Sequence, residues 1–90
     1  MELGDEVLTH LEKLSEAADP GPWCAMVEGR DHTAGDNFIM IGPPGDRRED
    51  MYVTRDSGPA DGPTLDLVAA ARTYLPALVA EIRRLRSLRR

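Results

Sequence analysis

The residues of this chain that could bind a metal or transfer a proton are few and widely separated. The chain has two histidines, His10 and His32, and one cysteine, Cys24, and His32 lies close to the carboxylates of Asp31 and Asp36. Zn²⁺ takes ligands of these kinds, but its sites use short and regular ligand spacings that this pattern does not match. We therefore predict no metal and no cofactor. A hydrolase built on His32 and Asp31 is kept as an alternative.

Two possible nucleophiles, Cys24 and Ser57, lack neighbours that would activate them. A catalytic thiol needs a base or a cation that lowers its pKa, and Cys24 follows Trp23 in an apolar segment, so we expect it to pack as a small apolar side chain. Ser57 stands in a stretch similar to that around a serine-protease nucleophile, but this chemistry also needs a positioned histidine, an acid and an oxyanion hole. The segment 42–45 contains two prolines without amide donors, which excludes a P-loop. We predict no catalytic residues and a protein that is not an enzyme.

Four arginines in the turn-rich middle of the chain could hold the phosphates of a small ligand. Arg30, Arg47, Arg48 and Arg55 fall in three successive loops, and a guanidinium can bind phosphate oxygens through paired hydrogen bonds. These four residues are the candidate contacts to a ligand or a partner. They support an alternative function, the binding of a nucleotide signal or another small molecule.

The C-terminal segment carries the strongest concentration of positive charge. Residues 71–90 contain six arginines and one acid, whereas residues 1–70 contain five bases and 15 acids. Arginines could contact nucleic-acid phosphates, but they are also favourable near a helix C-terminus and beside acids such as Glu12, Glu16 and Glu81. We expect the basic segment to pack against the acidic body, and we do not expect nucleic acid as a partner.

Length and composition indicate one small domain. The chain has 90 residues and only four aromatic side chains for its core. Its single cysteine cannot form an internal disulfide, and its first residues lack the basic start and apolar run of a signal peptide. No stretch reaches the roughly 18 consecutive apolar residues of a membrane span. We therefore expect a cytoplasmic protein that is neither exported nor inserted in a membrane.

Apolar periodicity predicts an N-terminal helix and three short strands. Between Asp5 and Ala18 the apolar residues recur at spacings of three and four, and the prolines that follow end the helix. The strands are predicted at residues 23–28, 37–41 and 50–54, between loops rich in Gly, Pro and Asp. A three-stranded antiparallel β-meander follows, with Trp23 as the anchor of the core.

A second helical pattern begins near Thr64, a good N-terminal cap, and continues almost to the end of the chain. Pro76 interrupts it, because proline removes an amide donor and clashes with the preceding turn. We expect a kinked or broken C-terminal helix that lies with the first helix across one face of the sheet. The predicted fold class is therefore α+β, in a single domain of residues 1–90.

The apolar positions of these elements define an expected core and an expected interface. The core residues are Leu11, Leu14, Trp23, Phe38, Ile41, Val68, Leu78 and Ile82. The apolar stripe of the C-terminal helix is wider than these few elements can cover, which predicts a homodimer. Its candidate interface residues are Leu75, Leu78, Val79, Ile82, Leu85 and Leu88.

Two segments resemble a known group of small proteins. Residues 11–23, which end in Ala-Ala-Asp-Pro-Gly-Pro-Trp, are similar to an AATPGPW ending of a first helix, and residues 69–86 are similar to a closing FIAxARTDVPALLAEVxRLR segment. Together they resemble the Ead-like proteins of bacteriophages and their prophage and actinobacterial relatives, over less than half of the chain. The chain departs from this pattern at Asp19, at Leu67-Val68 and at Tyr74. The resemblance implies a phage or prophage accessory protein and supplies no catalytic residues.

The expected function is binding rather than catalysis. The leading hypothesis is a non-enzymatic, phage-derived protein that binds a host protein and inhibits it, as anti-defence or anti-CRISPR proteins do. An acidic surface suits this function because it can occupy the basic clefts with which host proteins bind nucleic acid. Small-molecule binding and an uncharacterised hydrolase stay as the alternatives.

Overall fold

The computed structural model of the chain describes residues 2–89 and has an α+β fold. Two helices enclose two small antiparallel sheets in the order of the chain. The elements are α1 (Asp5–Ala17), β1 (Trp23–Met26), β2 (Phe38–Ile41), β3 (Thr54–Arg55), β4 (Gly58–Pro59) and α2 (Gly62–Ser87). The expected α+β class and the N-terminal helix are confirmed, whereas the expected sheet and C-terminal helix need correction.

The first helix packs on the second and on nothing else among the elements of residues 2–89. Leu8 of α1 is fully buried, as is Val79 of α2, and each such burial is worth about 1.5 to 3 kcal/mol. The helices are antiparallel, because Asp5 at the start of α1 lies 2.9 Å from Arg86 near the end of α2. The expectation that α1 lies across the sheet is therefore wrong.

Ion pairs flank this helix–helix contact. The Arg83 guanidinium of α2 binds both oxygens of Glu12 in α1, at 2.8 and 3.0 Å, and also donates to the hydroxyl of Thr9. The hydrogen bonds from Arg83 hold the pKa of Glu12 below its usual value. Arg84 pairs with Glu81 one turn earlier on α2. The prediction that the basic segment packs against acids is confirmed at Glu12 and Glu81.

The main sheet has two strands where three were predicted. β1 and β2 pair antiparallel, with Trp23 opposite Ile41 and Ala25 opposite Ile39. The third segment reaches this sheet only at Met51, which exchanges two backbone hydrogen bonds with Ile39 at 2.8 and 2.9 Å.

Beyond Met51 the chain leaves the sheet and forms a separate hairpin from β3 and β4. The three-stranded meander is therefore a wrong prediction. The loop that leads to Met51 contains Pro43 and Pro44, which have no amide donors, and a run of exposed charged residues at 46–50 that gain nothing from a place in a ladder.

A glycine is required where β2 ends. Gly42 is buried and has a φ of 92°, a left-handed conformation that other residues rarely adopt. A Cβ at this position would lie 2.4 Å from the backbone oxygen of Asp46. The amide of Gly42 donates to the carbonyl of Pro22, so this tight turn also extends the pairing of the two strands by one bond.

The C-terminal helix is continuous through Pro76, so of the two predicted forms, kinked or broken, the broken one is wrong. It also begins two residues before the predicted cap Thr64, with Asp61 at the N-cap position and Pro63 in the first turn, where the missing amide is harmless. Both sides of Pro76 are held by tertiary contacts, through Thr73 on one side and the buried Val79 on the other. These contacts offset the backbone hydrogen bond that Pro76 cannot donate.

The core lies between the main sheet and the first half of α2. Its buried residues are Ala25, Ile39, Ile41, Ala60, Leu65 and Ala69, and Trp23, Val27, Met51, Val53 and Val68 pack against them. Of the predicted core residues, Ile41 is buried, and Trp23 and Val68 are half-buried at its margin.

Five other predicted core residues lie outside this cluster. Leu11, Phe38 and Ile82 are half-buried. Leu14 and Leu78 are more than half exposed, at 52% and 57%, so their assignment to the core is wrong. Both helices are amphipathic, but each is covered by neighbours on one side only, and these two leucines lie on the uncovered sides.

Two consecutive residues of α2 join the sheet to α1. The amide of Trp23 donates to Oγ1 of Thr73 at 3.0 Å, and the Thr73 hydroxyl donates to the carbonyl of Trp23 at 3.1 Å. The Arg72 guanidinium lies 5.9 Å from the centre of the Trp23 ring and donates to the carbonyls of Ser15 and Asp19 at 2.8 and 3.0 Å. The end of α1, the start of β1 and the middle of α2 therefore meet at one point.

Replacing Thr73 by valine should destabilise the chain. The shape of the side chain is kept, but the amide and the carbonyl of Trp23 lose their partner in a half-buried site, which costs about 1 to 3 kcal/mol. Thr73→Ser retains the hydroxyl and is the matched control. Urea unfolding followed by the fluorescence of Trp23, the single tryptophan, measures the difference. Equal stability of the two variants would contradict the role of the hydroxyl.

Acid should weaken the contact between the helices through Glu12. Its pKa is lower in the folded chain than the usual 4.5, so its stabilising effect is present above that pH and is lost as the pH falls through the lower folded value. We expect Glu12→Gln to lower Tm at neutral pH by a few degrees and to have a smaller further loss in acid than the unmodified chain. Glu16→Gln, an exposed acid of the same helix, is the control. The same acid dependence with and without Glu12 would refute this assignment.

Candidate interaction surfaces

Arg30, the first of the four loop arginines, is bound within the chain. Its guanidinium forms a two-pronged contact with Asp66 of α2, with both N–O distances 2.9 Å, and a further bond to Asp31. Asp31 also accepts a hydrogen bond from the amide of Val27, the residue after β1. These bonds lower the pKa values of Asp31 and Asp66 and raise that of Arg30. Arg30 therefore fastens the loop after β1 to α2.

The other loop arginines do not form a common site with Arg30. Arg47 donates to the carbonyl of Gly42, and Arg48 lies 3.6 Å from Asp46 within the same loop. Arg55 is exposed on β3. Two clefts lie between α1 and α2, and none of the four arginines lines either of them. The geometry gives no support to a phosphate site made by the four arginines together.

His32 and Asp31 do not form a catalytic pair. The carboxylate of Asp31 binds Arg30 and the amide of Val27. The ring nitrogens of His32 face the carbonyl oxygens of Ala34 and Met26, at 2.8 and 3.3 Å. The imidazole is thus held by backbone groups, and the acid beside it in sequence is engaged elsewhere.

Cys24 is exposed, which corrects the expectation that it packs in the interior. The alternation along β1 sends Ala25 to the buried face, with Ile39 and Ile41 of β2, so Cys24 lies on the opposite face, which no helix covers. Its Sγ donates a hydrogen bond to the carbonyl of Ala25, at 3.7 Å. The partner of the thiol in this hydrogen bond is a backbone carbonyl and not a base that could activate it.

The uncovered face of the sheet also carries an aromatic cluster. The ring of Phe38 lies 5.4 Å from the rings of both His32 and Tyr52. Tyr52 is 58% exposed. Phe38, predicted as a core residue, therefore packs in a small surface cluster on the side of the sheet away from α2.

A cleft of about 300 Å³ lies between the helices. Its walls are Glu12, Ser15, Glu16, Arg72 and Pro76. Arg72 is already bound to the carbonyls at the end of α1, and Glu12 to Arg83. Arg72 and Glu12 therefore serve the contact between the helices, whereas Glu16 belongs to no ion pair of residues 2–89.

Five large apolar side chains in α2 and at its C-cap face solvent. Between 48% and 70% of the surface of each is exposed, and they are Leu67, Tyr74, Leu78, Leu85 and Leu88. We call the first four of these the outer stripe; Leu67 and Tyr74 were not among the predicted interface residues. The sequence alone does not identify Leu67 and Tyr74 as interface candidates, because it does not show which side of α2 is covered.

The predicted interface set mixes two sides of α2. Leu78, Leu85 and Leu88 are exposed and remain candidates. Val79 is only 2% exposed and contacts the interior of the chain, so its place in an interface is wrong. Leu75 and Ile82, one turn before and after Val79, are half-buried. The 3.6-residue period identified the apolar positions of α2 but not which of them face α1.

Acidic side chains dominate the remaining surface. Arg72, Arg83 and Arg86 of α2 bind groups of α1 and of the residues beside it, and Arg84 binds Glu81 of α2. Many acids, by contrast, belong to no ion pair of residues 2–89. These acids include Glu6, Glu16, Asp19, Glu28, Asp36, Glu49, Asp50, Asp56 and Asp61. The unpaired acids outnumber the unpaired bases, in keeping with the formal net charge of −5.

Within residues 2–89, no three side chains of His, Cys, Asp or Glu are arranged to hold a metal ion. In the same part of the chain, neither helix combines the length and the apolar character needed to cross a membrane. Comparisons with family models, with curated proteins and with solved structures find no match to this chain.

Proposed function

We propose that this protein acts by binding, and that its acidic surface occupies a basic surface of a host protein and blocks it. The observation that carries the proposal is the separation of charge. Arg30, Arg83 and Arg86 bind acids of the chain itself, which leaves the unpaired acids outward. A surface of one sign attracts a partner of the other sign and speeds the encounter.

The acids form two groups that could reach one partner. One group lies on α1 and just after it, at Glu6, Glu16 and Asp19, and the other lies in the loops, at residues 46–50 and 56–61. Acidic residues spread over a small convex protein resemble the phosphates of nucleic acid in charge. The partner that suits them is a protein with a basic cleft for nucleic acid.

The sequence resemblance to Ead-like phage proteins supports the same function, since accessory proteins of phages commonly act on host machinery. A role as an anti-defence or anti-CRISPR inhibitor is the specific form of this proposal. It needs no active site in the chain, and it requires only that the acidic surface be presented on a stable scaffold.

Charge reversal on α1 should abolish capture of the partner. We expect the tagged protein to retain basic, nucleic-acid-binding proteins from host lysate, and to release them in about 1 M salt, where the Debye length is only about 3 Å. Glu6→Lys/Glu16→Lys/Asp19→Lys should lose this capture, whereas Leu78→Ser, on the outer stripe, should keep it. With a purified partner, nucleic acid should compete for binding.

Two results would overturn the proposal. One is capture that persists in about 1 M salt and also persists when the α1 acids and the loop acids Glu49, Asp50 and Asp56 are all reversed. The other is capture that is lost in Leu78→Ser alone. Circular dichroism confirms that each variant retains its helices, so loss of folding is separated from loss of binding.

A further inference from the structure

The outer stripe of α2 has a spacing that reads the same in both directions. Leu67, Tyr74, Leu78 and Leu85 are separated by seven, four and seven residues. At about 100° per residue, these four side chains fall within an arc of roughly 40° on the helix surface. Pro76, at the centre of the pattern, projects from the opposite side of the helix and does not interrupt the stripe.

We propose that a second copy of this chain covers the outer stripe, with the two α2 helices antiparallel and a two-fold axis near residue 76. Leu67 of one copy then lies opposite Leu85 of the other, and Tyr74 opposite Leu78. A two-fold interface brings the same patch of both subunits together, so it requires a pattern that matches its own reverse. The proposal goes beyond the acidic-surface function, because it rests on apolar side chains.

The surface area of the chain points to a missing neighbour. The accessible surface is 6504 Å², about a quarter more than the ~5,200 Å² expected of a compact chain of this mass. The radius of gyration is 15.8 Å, against about 12 Å for a compact domain of this length. A stable interface takes about 800 Å² from each partner, and the excess is sufficient for one.

Charge favours the antiparallel arrangement over the parallel one. In the antiparallel pair, Arg89 of one copy lies level with the first turn of α2 of the other, close to Asp61. The dipoles of the two helices then point in opposite directions, which is favourable. In a parallel pair, the Arg89 residues of the two copies would lie level with each other and repel. Small residues beside the stripe, Ala70 and Ala77, allow the backbones to approach closely.

Sedimentation equilibrium of the full chain tests the proposal. We expect twice the mass of one chain at micromolar concentrations. Leu78→Glu should raise the dissociation constant of the dimer roughly 100-fold or more, because each copy then places a charge at the centre of the interface. Ala80→Glu, exposed on another side of the same helix, is the matched control and should remain a dimer. A monomer at high micromolar concentration, or an equal effect of both variants, would overturn the proposal.

A paired exchange of charge tests the register. Leu67→Lys and Leu85→Glu should each weaken the dimer, and the double variant should restore it, because every lysine then faces a glutamate of the other copy. In a parallel dimer the double variant would place like charges together and remain a monomer, which would refute the antiparallel register. Because these side chains are exposed in a single chain, helix content by circular dichroism should be the same in all variants.

Discussion

The reciprocal hydrogen bonds between Thr73 and Trp23 are the point on which the rest of the structure depends. They hold the outer edge of β1 against α2. In the same turn of α2, Arg72 donates hydrogen bonds to the carbonyls of Ser15 and Asp19 at the end of α1. Among the elements of residues 2–89, α2 alone contacts both the main sheet and α1, so it is the common support of two otherwise separate packing regions. A small chain with few aromatic residues is thereby stabilised by polar contacts at the junction of its two small apolar regions.

Features set by local sequence were predictable, and features set by distant contacts were not. The bounds of α1 followed from apolar spacing and from the prolines after Asp19, because both act within a few residues. The continuity of α2 through Pro76 was not predictable, because contacts of Thr73 and Val79 with residues far away in the sequence decide it. The prediction of a third strand was wrong for the same reason. The sequence of residues 50–54 suits a strand, but only Met51 pairs with the main sheet, at Ile39.

The candidate surfaces divide in the same way. Pairing of the C-terminal arginines with Glu12 and Glu81 was predictable, because opposite charges at helix spacing or on adjoining helices attract. The exposure of Cys24 and the outer stripe at Leu67 and Tyr74 were not, because a period shows that a side is apolar without showing what covers it. The binding of Arg30 to Asp66 spans 36 residues and left no mark in the local pattern.

The dependence of α1 on α2 alone has a consequence for synthesis of the chain. α1 is made before the sheet and α2, and its partners Arg83 and Arg86 are made more than 70 residues later. Throughout that interval the end of α2 that pairs with α1 is missing, while the sheet core already needs only residues up to Ala69. The sheet and the first half of α2 can therefore assemble during translation, and the N-terminal helix becomes the last element to dock. A nascent chain of this kind exposes an acidic amphipathic helix to chaperones and proteases until the second half of α2 has been made.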